Sequence, residues 1–109
     1  MAFDEKLAAR TRDLLSTRTD VAERKMFGGL AFLVGGHMAC GILGNQLMTR
    51  VGPDAYASAL ELAHAHEMNF TGRPMRGFVV VDAAGLTSRK ALSSWIQKSL
   101  DFVSALPPK

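Results

Sequence analysis

The sequence predicts an α+β fold in the order α-β-β-β-α-β-β-α, with a mostly antiparallel sheet packed with helices. Three observations carry that expectation. Leu30 to Val34, His37 to Leu43 and Gln46 to Val51 are short apolar runs separated by Gly35-Gly36 and Gly44-Asn45, pairs that reach positive φ cheaply and so suit two-residue hairpin turns. Amphipathic segments of helical period stand at both ends of the chain. A second pair of strand-like runs, Glu67 to Phe70 and Gly77 to Val81, is divided by Thr71-Gly72-Arg73-Pro74. With 109 residues, 48% of them hydrophobic and 21% charged, the chain suits one domain over 1–109 and is too apolar to be largely disordered.

Taken in order, Asp4 to Thr17 reads as a helix, with Asp4 as N-cap and Leu7, Leu14 and Leu15 on the face that meets the sheet. Ser16 to Glu23 lacks apolar periodicity and reads as a connection, after which Arg24 to Phe27 leads into a three-stranded meander. Met26 to Gly44 carries no charge and is about as long as a bilayer-spanning helix. Its doubled glycines, Gly28-Gly29 and Gly35-Gly36, each cost a helix roughly 1 kcal/mol relative to alanine, so they punctuate strands and no membrane span is expected. Gly52-Pro53-Asp54 reads as the start of a middle helix, with Tyr56, Leu60 and Ala63 on one face. Asp82 to Gly85 forms an exit turn, and Thr87 or Ser88 caps a last helix carrying Leu92, Trp95, Ile96, Leu100 and Val103 before Pro107-Pro108 ends it.

Simple alternation places Met38, Cys40 and Ile42 on one sheet face and Ala39, Gly41 and Leu43 on the other. Neither set is polar, so either helices cover both faces or a second chain covers the one left bare. A homodimer through the sheet, or another protein partner, is the expectation.

Composition excludes more than it selects. Thirteen Lys and Arg against ten Asp and Glu give a net charge of +3, spread along the chain, which permits nucleic-acid binding without indicating it. The N-terminus, MAFDEKLAARTRD, has acidic residues where a signal peptide needs a basic region and then an apolar one. A single cysteine makes no internal disulfide, and a reducing cytoplasm is expected.

The residues able to carry chemistry are few. His37, Cys40, His64 and His66 are of metal-ligating type, but no CxxC or HExxH spacing joins them, and His37 and Cys40, three apart in a strand, face opposite ways. No metal and no cofactor are expected, and Cys40 reads as a buried inert thiol. A cysteine nucleophile would need His64 or His66 within reach as base, and the serines of the last helix have no GxSxG elbow. The paired glycines lack the GxxxxGK[ST] spacing of a phosphate loop. Lys25, Arg50, Arg73 and Arg76 form one basic rim if the two hairpins pack at the same end of the sheet, and they are the partner-binding candidates.

Several stretches in one order resemble a known family. Lys25-Met26-Phe27-Gly28-Gly29, Ala39-Cys40-Gly41, Arg50-Val51-Gly52-Pro53 and Phe70-Thr71-Gly72-Arg73-Pro74-Met75, followed by Gly77-Phe78-Val79, look like the TfoX N-terminal domain. The resemblance runs from the first helix to the Leu106-Pro107-Pro108 tail. It implies an α+β fold of the order above and a relation to the Sxy/TfoX regulators of natural competence, which act with the cyclic-AMP receptor protein at promoters. Those regulators carry a second, C-terminal domain, whereas this chain ends at Lys109, so a stand-alone member is expected. The functional expectation is a non-enzymatic regulatory module that binds a protein partner, with the transcription machinery the partner that the resemblance suggests. The alternative is a small-ligand or catalytic domain with a pocket near Cys40 and the histidines.

Overall fold

The structure is a computed structural model that describes residues 3–26, 28–69 and 74–107. Its elements are α1 (Glu5–Leu14), β1 (Val21–Met26), β2 (Gly29–Val34), β3 (His37–Leu43), β4 (Gln46–Arg50), α2 (Tyr56–Leu60), β5 (Ala65–Asn69), β6 (Pro74–Val81), a 3-10 turn at Ala83–Leu86 and α3 (Arg89–Val103). The strands form one six-stranded sheet in the order β1-β2-β3-β4-β6-β5, and every neighbouring pair is antiparallel. The α+β class is as the sequence predicts, with one strand more.

The additional strand is β1. It pairs with β2 from Val21↔Val34 to Met26↔Gly29, so the segment read as a connection already belongs to the sheet from Val21 onward. Its residues Ala22 to Lys25 are exposed on both sides, as suits an edge strand guarded by charge, and that exposure removes the alternation by which a strand is recognised. The hairpin turns fall where the glycines predict them. Gly35 and Gly36 have φ of 60° and 86°, and Gly44 has φ of 59°, the left-handed values that tight turns demand.

Capping follows the sequence at two of the three helices. Asp4 accepts from the amides of Lys6 (2.9 Å) and Leu7 (3.1 Å), and Ser88 accepts from that of Ala91 (3.0 Å). The middle helix is shorter than predicted. It begins at Tyr56 rather than beside Pro53, has no side-chain cap at Ala55, and ends before Ala63.

Helices lie on one face of the sheet. There Leu30, Phe32, Cys40, Ile42, Leu47, Val79 and Val81 pack against Leu7 and Leu15 from the region of α1 and Leu92, Trp95 and Ile96 from α3. Two buried hydroxyls pin α3 to β4. Thr49 Oγ1 donates to the Trp95 carbonyl (3.2 Å) and also meets Ser99 Oγ, so two polar groups satisfy each other inside an apolar layer.

The opposite face departs from the alternation read off the sequence. The register between β2 and β3 shifts, with Phe32 opposite Cys40 but Leu33 opposite Met38, so Ala39 is an extra residue in a β-bulge. The bulge separates Met38 from Cys40. Cys40 stays with the helix-packed core, Ala39 joins Val34 and Val103, and Met38 joins the other face with Met48, Met68, Met75, Leu43, Phe78 and Val80. That second cluster draws only on strand residues, so among the described residues no helix contributes to it. Its centre is sealed by its own side chains, Met48 and Met68 being 2% and 3% exposed, while Met38, Leu43, Met75 and Phe78 remain half-buried around it.

Candidate interaction site

The residues singled out for metal or nucleophilic chemistry are scattered by the fold. Cys40 sits in the central strand β3 with 0% of its surface exposed, and burial pushes its thiol up to about 12, so at neutral pH it is a protonated core group. His64 immediately precedes β5 and His66 lies in it, and β5 is three strand spacings or about 14 Å from β3 in the sheet order. His37 lies at the start of β3, where its Nε2 donates to the Pro107 carbonyl at 2.5 Å and ties the segment after α3 to the sheet. Among the described residues no three His, Cys, Asp or Glu side chains gather as a metal site would require.

One histidine does enter a polar cluster that the sequence did not suggest. The Asp82 carboxylate accepts from Gln46 Nε2 (2.8 Å) and from His66 Nε2 (2.5 Å), joining the start of β4, β5 and the end of β6. Because a carboxylate only accepts, Nε2 is the protonated ring nitrogen of His66. These two donors, Gln46 foremost and then His66, hold the Asp82 carboxyl below its ordinary range. Beside it His64 adopts φ of 69°, and its carbonyl accepts from the Asp82 amide at 2.9 Å. The ring is accommodated by Gly85, where an added Cβ would lie 2.8 Å from His64 Cβ.

Among the described basic candidates, Lys25 and Arg50 do not share a rim. Lys25 pairs with Leu30 near the Gly44-Asn45 end of the sheet, whereas Arg50 pairs with Phe78 at the opposite end. Lys25 is therefore separated from Arg50 along the strands as well as across β2 and β3. Arg76 is exposed and close enough to Tyr56 for its charge to oppose the upward shift that burial, first, and Glu67 impose on that phenol. Arg73 lies outside the described residues, as do Phe27, Phe70, Thr71 and Gly72 of the family-like stretches.

Arg50 is the candidate that the fold makes distinctive. It is half-buried at the end of β4, with its guanidinium over the ring of Phe78 from β6 (5.6 Å to the centroid) and over that of Phe102 from α3 (5.2 Å). The approach of Phe102 depends on Gly52, where φ is 86° and an added methyl would lie under 3 Å from three atoms of that ring. Of the five N–H donors of the guanidinium, the described contacts include one long bond, from Nη1 to the Met38 carbonyl at 3.4 Å. All ten Asp and Glu are among the described residues, and none is within ion-pair distance of Arg50. Elsewhere Arg12 pairs with Glu23 (2.5 Å), Arg18 with Asp20 (3.0 Å) and Arg89 with Asp13 (2.9 Å).

The arrangement thus places a positioned cation beside an apolar sheet face that no described helix covers. Such a surface is chemically equipped for contact with a partner. In comparison with known proteins, the sequence pattern of a family described as the TfoX N-terminal domain fits residues 13–103. No curated protein and no solved structure matches the chain.

Proposed function

We infer the role of this chain from its kinship: it belongs to the TfoX N-terminal domain family. We propose that it is a non-enzymatic regulatory module that acts by binding another protein, with a component of the transcription machinery as the partner its family suggests. The observation that carries this reading is the second sheet face. In a two-layer α+β domain, a face with no helix over it is ordinarily polar. Here it is built from Met38, Leu43, Met48, Met68, Met75, Phe78 and Val80. The alternative, chemistry at Cys40, has little support, because the thiol is enclosed in the core and remote from His64 and His66.

Affinity capture with the tagged full chain from a lysate of its source cells tests this reading. A specific protein recovered in stoichiometric amount is the expected result. Recovery of no protein would overturn it, as would a substrate turned over by the purified chain with the turnover lost in Cys40→Ser.

A further inference from the structure

We propose that Arg50 and the outer sheet face beside it form a docking site for an acidic amphipathic helix of a partner protein, a carboxylate of that helix accepting two parallel N–H bonds from one edge of the guanidinium while its apolar side chains lie on Met38, Leu43, Met75 and Phe78. This rests on the interaction reading above and specifies its site and the chemistry of its partner.

Charge complementarity is the first argument. Arg50 is half-buried, and all ten acidic side chains of this chain are among the described residues with none paired to it, so its cation is open to an acid from outside the chain. Its planar cation is held by Phe78 and Phe102, at 5.6 and 5.2 Å, so the entropy of ordering a long side chain is largely spent before a partner arrives. Such a fork suits a carboxylate bound bidentately.

Size is the second. The cluster spans four neighbouring strands, β3-β4-β6-β5, a footprint of roughly 15 Å by 15 Å at ordinary strand spacing and rise. That is well under half of the ~800 Å² per partner that a standard stable interface buries. A second copy of the sheet is poorly matched to it, whereas one helix, about 10–12 Å across, fits. Methionine is the side chain best able to reshape around such an insert, because its unbranched thioether has three rotatable bonds. Nucleic acid would leave the apolar part of the site uncovered.

The test uses the full chain and fluorescein-labelled model peptides of one helical design, with leucines at i, i+3, i+4 and i+7 and either Glu or Lys at the solvent positions. Anisotropy should show the Glu peptide binding and the Lys peptide weaker by tenfold or more. Arg50→Gln should weaken the Glu peptide at least tenfold, and Arg50→Lys at least threefold, since lysine keeps the charge but not the fork. Unchanged circular dichroism of both variants separates this loss from misfolding. Equal binding of the two peptides, no effect of Arg50→Gln, tighter binding of a short DNA duplex, or a dimeric mass in solution that Arg50→Glu leaves intact while the Glu peptide fails to bind would each overturn the proposal. The captured natural partner distinguishes the two levels of the reading. If it binds Arg50→Gln as tightly as the unaltered chain, this docking site is wrong and the interaction role stands; if the unaltered chain captures nothing, the role itself falls.

Discussion

Replacing Gly52 with alanine should cost this protein about 2–3 kcal/mol, and the cost divides into two parts that can be measured separately. The first is conformational. At φ of 86° an L side chain is strained by roughly 1–2 kcal/mol. The second is steric: the new methyl would lie under 3 Å from three atoms of the Phe102 ring. Phe102 is only half-buried and swings aside, which keeps this part near the lower end of the ~1–3 kcal/mol range for overpacking. At about 2.1 cal/mol/K per residue, a 109-residue domain loses roughly 10 °C of thermal midpoint for 2–3 kcal/mol. Gly77 is the internal reference. Its φ is 93°, but an added Cβ there meets nothing nearer than 3.4 Å, so Gly77→Ala should show the strain alone. Urea unfolding of Gly52→Ala with and without Phe102→Ala completes the cycle, and about 1 kcal/mol of the Gly52→Ala cost should vanish once the ring is gone. A cost below about 0.5 kcal/mol, or one indifferent to Phe102, would refute the packing on which the placement of Arg50 depends.

Three further outcomes follow from other parts of the molecule. Cys40 should resist iodoacetamide in the folded protein and react at the rate of unfolding, since a thiol at about 12 has a thiolate population at pH 8 roughly a thousandfold below that of a free cysteine; rapid labelling without unfolding would contradict its burial. Thr49→Val should destabilise by about 1–3 kcal/mol because Ser99 loses its buried partner, and adding Ser99→Ala should recover much of that loss in urea titrations. Asp82 is held below its ordinary carboxyl range, so its contribution is present above about pH 4 and fades as pH falls through its folded-state value. Asp82→Asn should therefore flatten the acid side of the stability profile, and an identical acid slope in both proteins would refute the Gln46 and His66 contacts.

What the sequence disclosed and what it hid divide along local and long-range lines. The turns at Gly35-Gly36 and Gly44, the caps Asp4 and Ser88 and the α+β class all follow from residues within a few positions of one another. β1 was hidden because its edge position leaves Ala22 to Lys25 exposed on both sides, which erases the periodicity of a half-buried strand. The bulge at Ala39 was hidden for a different reason: alternation assumes a constant register, and the extra residue moves Met38 from the face of Cys40 to that of Met48. The site is the least legible part. Arg50 was singled out as a basic residue, but its significance comes from Phe78 and Phe102, which only the sheet order and the packing of α3 bring to it. The contact of Gln46 with Asp82 spans 36 positions and is equally a product of the register between β4 and β6.

Contact with a partner should occur on the sheet face that no described helix covers. The most direct measurement is the methyl spectrum of the chain labelled with 13C at the methionine ε-carbons, recorded with and without its captured partner. Met38 and Met75, half-buried at the margin of that face, should shift on binding, and Arg50→Gln should weaken the effect. A partner that binds while both methyls keep their free positions would contradict it.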